Sequence, residues 1–454
     1  MSAPDKSLSL PDQVQAQIPS VLGDLKELIA IESVSADPAR ADEVERSAQS
    51  IVRLLADLGC PDVRVIRADG GAPAVIGRFP PPEGMPTVCL YAHHDVQPEG
   101  DPAGWRTPPF VATQLEGRLF GRGTSDDKGG FAVHLAALRA FDGKPPVGVT
   151  VFVEGDEEIG SVGLPELLEE HRAEFAADVF VITDSCNWAV GQPAFTTTLR
   201  GLAACTVEVG TLDHALHSGV YGGVVPDALT AMCRLLATLH DDQGNVAVAG
   251  LGTASAPALE YPPERLRAET GILDGVDWIG SGPFVERIWY KPAVSVVALD
   301  ATSVEKASNT LIPSARAKIS LRVAPGDDAA KALAALIKHL EDHAPWGAQV
   351  RVTGGGAAEP SVIDFSGRYA EAARAAFTQA WGVAPVFVGQ GGSIPMVAEF
   401  GKAFPDATIL ITAVGDPDSR AHGTDESLHL GDFAAACVAE TLMLNAFSQL
   451  DLDG

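Results

Sequence analysis

The chain has 454 residues, of which 46% are hydrophobic and 20% are charged, a composition that supports a sizeable core and excludes a disordered chain. Asp and Glu number 60 against 32 Lys and Arg, so the net charge is −28. A field of that sign repels nucleic-acid phosphates and anionic membranes, and we expect neither as a partner.

The six cysteines contain no CxxC pair and no spacing typical of a disulfide framework. The first residues, MSAPDKSLSLPDQ, lack the basic and then apolar pattern of a secretory signal. No stretch approaches the roughly 18 apolar residues of a membrane span. We therefore expect reduced thiols, no membrane segment and a cytoplasmic location.

Taken in chain order, the first elements are two predicted helices at 14–32 and 41–58 and a short strand at 74–79. Apolar runs typical of strands buried on both faces follow at 87–92, 147–153, 179–183, 386–388 and 407–414. Helices are predicted between and after them at 129–141, 165–173, 367–381 and 431–448. This alternation predicts an α/β fold with a mostly parallel sheet.

The middle of the chain follows another pattern. Its predicted elements are a strand at 202–209, a helix at 225–240, strands at 293–299 and 315–323, a helix at 328–342 and a strand at 348–353. The order β-α-β-β-α-β is the ferredoxin-like split unit. We predict an inserted α+β domain at 200–358, between the two parts of the α/β domain at 1–199 and 359–454. Residues 243–290 are expected to form a long irregular loop.

Acids and histidines follow the predicted parallel strands where those strands end. His93 follows the strand at 87–92, the pair Glu157-Glu158 follows the next, and Asp184 and His422 follow two others. Ligands of open α/β sheets bind at the carboxyl ends of the strands. The sequence therefore predicts that these side chains form one site.

Taken singly, these signals differ in strength. The pair Glu157-Glu158 is the strongest, because two adjacent carboxylates after a buried strand must be solvated, paired or metal-bound, although an acidic helix cap is an alternative. The Gly-rich segment 121–130 could be such a cap, and a phosphate loop is disfavoured because carboxylates lie where donors are needed. Asp184 and His422 are ambiguous alone. Together, imidazole and carboxylate suit zinc, manganese or cobalt.

The chain resembles the M20 metallopeptidase family, which includes carnosinase-like dipeptidases, aminoacylases and succinyl-diaminopimelate desuccinylase. The resemblance rests on motifs that occur in the family's order over nearly the whole chain: AHHDVQP (92–98), GRGTSDDKGG (121–130), EGDEEIGS (154–161), ITDS (182–185), LRG (199–201), LHSGVYGG (216–223), NTLIP (309–313), SLRVAP (320–325), GGSIP (391–395) and AHGTDE (421–426). LHSGVYGG and GGSIP are most similar to the carnosinase-type dipeptidase branch.

The resemblance implies a catalytic α/β domain that holds two divalent metal ions, zinc first, with manganese or cobalt as alternatives. The implied ligands are His93, Asp126, Glu158, Asp184 and His422. Asp126 would bridge the two ions, with His93 and Asp184 completing one site and Glu158 and His422 the other. Glu157 would be the general base that activates a metal-bridging water, and Asp95 would orient His93. The peptide bond between Asp126 and Asp127 would be cis.

The inserted domain would serve as a lid and as the interface of a homodimer. By resemblance, His217 would stabilise the oxyanion in the active site of the partner subunit, although it would otherwise be an ordinary loop histidine. Arg322 would clamp a substrate carboxylate, and Asn309, Gly392 and Ser393 would help to hold the substrate. His94 and Gln390 depart from the pattern of many dipeptidase relatives, which leaves the substrate preference open.

The sequence thus predicts a two-metal hydrolase that cleaves the amide bond of dipeptides or of related small N-acyl amino acids. One alternative keeps the chemistry but makes the enzyme an N-acyl-amino-acid deacylase or a desuccinylase. Another is a catalytically silent binding module, which the presence of every implied ligand and of the base argues against.

Overall fold

The computed structural model describes residues 8–450, except for Ser393 and the side chain of Pro395. The chain forms two compact units. The first comprises Met1–Thr197, Ile363–Val388 and Pro395–Gly454, and the second comprises Thr198–Val362 and Gly389–Ile394.

The helices are, in chain order, α1 (Leu10–Ile29), α2 (Ala41–Asp57), α3 (Lys128–Ala140), α4 (Leu164–Glu170), α5 (Arg172–Phe175), α6 (Ser218–Tyr221), α7 (Ala228–Ala237), α8 (Pro263–Thr270), α9 (Ala329–Asp342), α10 (Gly367–Trp381), α11 (Pro395–Ala403) and α12 (Leu430–Phe447). The strands are β1 (Asp62–Ile66), β2 (Ala74–Phe79), β3 (Thr87–His93), β4 (Thr113–Leu115), β5 (Arg118–Phe120), β6 (Gly148–Glu154), β7 (Val179–Ile182), β8 (Ala194–Leu199), β9 (Gly201–Gly210), β10 (Leu216–His217), β11 (Ala293–Asp300), β12 (Thr310–Leu311), β13 (Ser314–Val323), β14 (Gln349–Ala358), β15 (Ser361–Val362), β16 (Val386–Gln390), β17 (Thr408–Ile411) and β18 (Ser427–His429).

The main sheet of the first unit contains, side by side, β1, β2, β6, β3, β7, β17 and β8. Its centre is parallel, because β3 pairs in parallel with β6 and β7, and β17 pairs in parallel with β7. β6 and β7 are buried along their whole length, as apolar strands covered on both faces must be. The predicted α/β fold with a mostly parallel central sheet is confirmed, and the antiparallel pairs lie toward the edges.

The second unit contains a four-stranded antiparallel sheet in the order β11, β13, β9, β14. Residues along β9 and β13 alternate between buried and more exposed positions, because α7 and α9 pack against the sheet and leave its other face open. The connectivity β9-α7-β11-β13-α9-β14 is the predicted β-α-β-β-α-β unit. The prediction of an inserted ferredoxin-like α+β fold is therefore confirmed.

The stretch 243–290 is less irregular than expected. It contains α8 and a π-helical turn at Glu286–Tyr290. α8 begins at Pro263, and Gly271, which follows its last residue, has a φ of 62°, the left-handed conformation typical of a helix C-cap. Both are ordinary helix signals, but a Gly-, Ala- and Pro-rich composition obscured them.

One helix among the described residues, α12, is long and apolar enough to cross a membrane by length and composition. The sequence predicts this helix, at 431–448, but not as a stretch that approaches a membrane span. Most of α12 is buried, and it packs against α1, α3 and α10. It is therefore apolar on most sides because it is a central core helix.

Candidate active site

The chemistry-bearing residues of the first unit follow neighbouring parallel strands. His93 is the last residue of β3, Glu157 and Glu158 lie in a 3₁₀ turn after β6, and Asp184 follows β7. His422 lies in the loop after β17, and Asp126 lies just before α3. Since β6, β3, β7 and β17 are adjacent, their carboxyl ends bring these side chains together, as strand order requires.

Asp126 lies at the centre of this cluster. Its Oδ1 is 3.0 Å from His93 Nε2, and its Oδ2 is 3.0 Å from His422 Nε2. Glu158 Oε2 lies 3.1 Å from the same nitrogen of His422. Two groups of potential ligand atoms result, each within 4.8 Å: His93, Asp126 and Asp184 in one, and Asp126, Glu158 and His422 in the other. The carboxylate of Asp126 belongs to both.

The charges of this cluster fit divalent cations. Burial, together with the nearby Asp184, raises the pKa of Glu157 to about 9, and burial beside Asp126 raises the pKa of Asp184 to about 7. Burial also opposes ionisation of Asp126, yet hydrogen bonds from His422 and His93 hold its pKa below its usual range. So many carboxylates carry their charges together only when cations balance them. Imidazole nitrogen and carboxylate oxygen are donors that zinc, manganese and cobalt accept.

Glu157 lies beside the ligands without belonging to either group. Its Oε2 is 4.0 Å from His93 Nε2, and its side chain is 14% exposed. A carboxylate so placed is free to accept a proton next to the cluster, which is what a general base requires.

Asp95 joins the two groups of ligands. Its Oδ1 lies 3.4 Å from His93 Nδ1, although the backbone carbonyl of Asp95 is nearer to that nitrogen, at 3.0 Å. Its Oδ2 accepts hydrogen bonds from the Ser35 hydroxyl at 2.6 Å and from the Glu158 amide at 3.1 Å. Asp95 therefore contacts His93 of one group and the backbone of Glu158 of the other.

Gln97 holds the Glu158 carboxylate, a role that the sequence did not predict. Its backbone amide donates to Glu158 Oε1 at 3.0 Å, and its side-chain amide donates to Oε2 at 2.7 Å. The signal available was its place in the motif AHHDVQP, two residues after Asp95. The two hydrogen bonds limit rotation of a ligand carboxylate.

The backbone around the site is unusual in two places. The peptide bond between Asp126 and Asp127 is cis. The loop that carries His422 contains three non-glycine residues with positive φ, Arg420, His422 and Asp425. Asp425 is held by the backbone amide of Arg106 at 2.6 Å and by its Nε at 2.8 Å. Residues in this sparsely populated conformation persist when their surroundings hold them, as here.

The other predicted site residues that the structure describes belong to the second unit. His217 ends β10 with an exposed side chain, whose Nδ1 accepts a hydrogen bond from the amide of Gly219 at 3.0 Å. Arg322 is half-buried in β13, and Asn309 is exposed just before β12. Gly392 is half-buried in a bend. Ser393 lies outside the described residues.

Overlapping ligand groups at the end of a parallel sheet, with a carboxylate beside them, define a metal-dependent hydrolase. The chain belongs to the peptidase family M20/M25/M40, whose sequence model matches residues 89–445.

Among curated proteins, the chain is similar to the cysteinylglycine-S-conjugate dipeptidase of Corynebacterium striatum. The two are 35% identical over 436 residues, which cover 94% of this chain and 96% of the relative. Among solved structures, it is similar to the dipeptidase Dug1p of Saccharomyces cerevisiae, with a TM-score of 0.83 and 25% identity over 97% of this chain and 98% of that chain. Human carnosine dipeptidase 1 is similar with the same values.

Proposed function

We propose that this protein cleaves the peptide bond of dipeptides with the help of two divalent metal ions, zinc in the first place. The observation that carries the proposal is the position of Asp126, which directs one carboxylate oxygen to His93 and the other to His422. The relatives named above are dipeptidases, including one for cysteinylglycine conjugates and one for carnosine. Their names support a dipeptide as the substrate.

His93, Asp126 and Asp184 would hold one ion, and Asp126, Glu158 and His422 would hold the other. When bound, such ions polarise the carbonyl of the scissile bond and lower the pKa of water. Asp95 and Gln97 would keep the ligands in position through their contacts with His93 and Glu158.

A carboxylate oxygen of Glu157 would accept a proton from the attacking water, and Glu157 would then pass this proton to the leaving amine. Its place beside His93, outside both ligand groups, supports this role. Two divalent cations beside Glu157 would also lower its pKa from the raised value, so that the ionised carboxylate can act as a base.

The second unit would supply the substrate contacts. We propose that His217 stabilises the oxyanion and that Arg322 binds the substrate carboxylate. Asn309, Gly392 and Ser393 would help to hold the backbone of the substrate. Guanidinium and imidazole donors suit these tasks, since both stabilise negative charge.

The same unit would form the interface of a homodimer. β11 lies at the edge of its sheet, and Val296, Val297 and Leu299 on that strand are exposed. An unpaired edge with apolar side chains favours association. Sedimentation velocity should show a dimer at micromolar concentration, and a monomer would contradict the proposal. If His217 acts across the interface, mixing inactive His217→Ala and Glu157→Ala chains should restore activity, and heterodimers without activity would exclude this role.

A reducing cytoplasm would suit the chain. All six cysteines are free, and four of them are buried. Fractionation of the source cells, followed by detection of the protein, tests this location.

The experiment that tests the function compares wild type with Glu157→Gln on a substrate panel. We expect wild type with zinc, manganese or cobalt to cleave dipeptides faster than N-acetyl or N-succinyl amino acids. Glu157→Gln should retain two metal ions and lose at least about 100-fold in kcat, the usual contribution of a general base. Preference for the N-acyl amino acids would favour the deacylase alternative. No turnover of any substrate by wild type would contradict both.

A further inference from the structure

Glu426 is a buried carboxylate that the proposed chemistry does not use. It ends the motif AHGTDE, four residues after His422, and its side chain is fully buried. A buried carboxylate is costly unless hydrogen bonds or charges compensate for the lost water. The contacts of Glu426 therefore show what it does in the fold.

Its two oxygens accept five hydrogen bonds from the segment that ends at Asp126. Oε1 accepts from the amide of Ser125 at 2.9 Å, the hydroxyl of Ser125 at 3.1 Å and the amide of Asp126 at 3.2 Å. Oε2 accepts from the amide of Gly123 at 3.0 Å and from Nη1 of Arg122 at 2.7 Å. One carboxylate thus accepts hydrogen bonds from three backbone amides, those of Gly123, Ser125 and the shared ligand Asp126.

Arg122 extends this connection to the loop of the second histidine. Its guanidinium is buried, and Nη2 donates to the carbonyl of Gly423 at 2.9 Å and to the carbonyl of Pro98 at 3.1 Å. Gly423 directly follows His422, and Pro98 directly follows Gln97. The Arg122–Glu426 pair therefore joins the Asp126 segment, the His422 loop and the segment that holds Glu158.

We infer that Glu426 is a positioning residue for the metal pair: it sets the orientation of the Asp126 carboxylate relative to His422. This inference rests on the proposed function, because it assigns Glu426 a role in the same site. Only a carboxylate can accept all five hydrogen bonds, since every contact of both Glu426 oxygens is with a donor. A glutamine would turn an NH₂ group toward at least two donors, whichever way its amide is oriented.

A purely structural role would have a different signature. If Glu426 served only to pair with the buried Arg122, its loss would lower the free energy of unfolding and leave metal binding by the folded protein unchanged. Asp24 on α1 offers a control, because its carboxylate pairs with the buried Arg139 of α3 at 2.6 Å and belongs to neither group of candidate ligands.

The test compares wild type, Glu426→Gln and Asp24→Asn as metal-free, full-length proteins. Zinc dissociation constants are measured by competition with a chromophoric chelator, and folding is followed by urea denaturation. We expect Glu426→Gln to bind both ions at least about tenfold more weakly, as losses of residues that orient ligands do. Its kcat at saturating zinc should fall more than its KM changes. Asp24→Asn should lose stability while its zinc affinity stays within about twofold of wild type.

Zinc affinity of folded Glu426→Gln within about twofold of wild type would overturn the inference and leave the proposed function intact. A wild type that does not bind two ions would overturn both. If Glu426→Gln does not fold, Ser125→Ala provides the measurement, because it removes one donor to Oε1 and leaves the carboxylate. We then expect a several-fold weaker zinc affinity, and an unchanged affinity would overturn the inference.

Discussion

The side chains of Asp126 and His422 meet at 3.0 Å, although one precedes α3 and the other follows β17. The other oxygen of Asp126 meets His93 at the same distance. A carboxylate shared by two imidazoles is the geometry expected when one aspartate bridges two ions. The predictions below follow from that relationship and from the burial of the groups around it.

Removing single ligands should change the metal content in a defined way. We expect His93→Ala and His422→Ala each to bind one zinc ion tightly instead of two, because each histidine belongs to one ligand group. Asp126→Asn should lose tight binding of both ions, since its carboxylate belongs to both groups. Elemental analysis after dialysis measures the content. His214→Ala, which alters an exposed histidine, should retain two ions, and equal losses in all four variants would contradict this division.

Metal binding should release protons and strengthen as the pH rises. In the metal-free protein burial raises the pKa of Asp184 to about 7 and that of Glu157 to about 9. Near neutral pH Glu157 therefore retains its proton and Asp184 is about half protonated, and cations must displace these protons. Zinc affinity should therefore increase between about pH 6 and pH 9. Calorimetry in buffers of different ionisation enthalpy counts the protons. Glu157→Gln should release fewer protons when zinc binds. A zinc affinity that does not vary with pH would show that Asp184 and Glu157 are not protonated in the metal-free protein.

His94 should make the protein less stable in mild acid. Burial lowers its pKa from 6.5 to about 4, and its Nε2 is 2.8 Å from the carbonyl of Pro73. The unfolded chain takes up a proton below about pH 6.5 and the folded chain does not. The free energy of unfolding should therefore decrease as the pH is lowered from about 6.5 to about 4, by up to about 1.4 kcal/mol per pH unit. Urea denaturation of the metal-free protein at several pH values measures the slope. His94→Gln should have a shallower slope, and an identical slope would exclude His94 as its source.

Phe400 should be a major contributor to the stability of the first unit. It is fully buried, with ring centroids 4.5 Å from Phe180 and 6.1 Å from Phe175. Phe400→Ala should lower the free energy of unfolding by about 3–5 kcal/mol, because it leaves a cavity among aromatic rings. Urea denaturation measures the loss. Phe387→Ala, which removes a more exposed ring, should lower the free energy of unfolding by less. Equal losses in the two variants would show that the aromatic contacts of Phe400 do not add to stability.

Much of the fold could be predicted because burial on both faces leaves a plain signal. Strands such as β3 and β6 appear in the sequence as continuous apolar runs, and their ends locate His93 and the pair Glu157-Glu158. Short strands such as β4 and β18 carry too few residues for a pattern. They form because β5 lies between them and pairs with both.

The contacts that hold the ligands were harder to predict than the ligands themselves. Acids and histidines at strand ends reveal their chemistry by residue type and position. The roles of Gln97 and Glu426 depend instead on which distant loops fold against them, as the contacts with Glu158 and Ser125 show. A single sequence contains no local pattern for such pairs, since their partners are set by tertiary structure.

Anomalous diffraction from zinc-loaded crystals of the wild-type protein tests the central claim most directly. We predict two zinc peaks about 3.5–4 Å apart, one on each side of the Asp126 carboxylate. His93 and Asp184 should contact one peak, and Glu158 and His422 the other. A single peak, or peaks that do not share Asp126, would contradict the account.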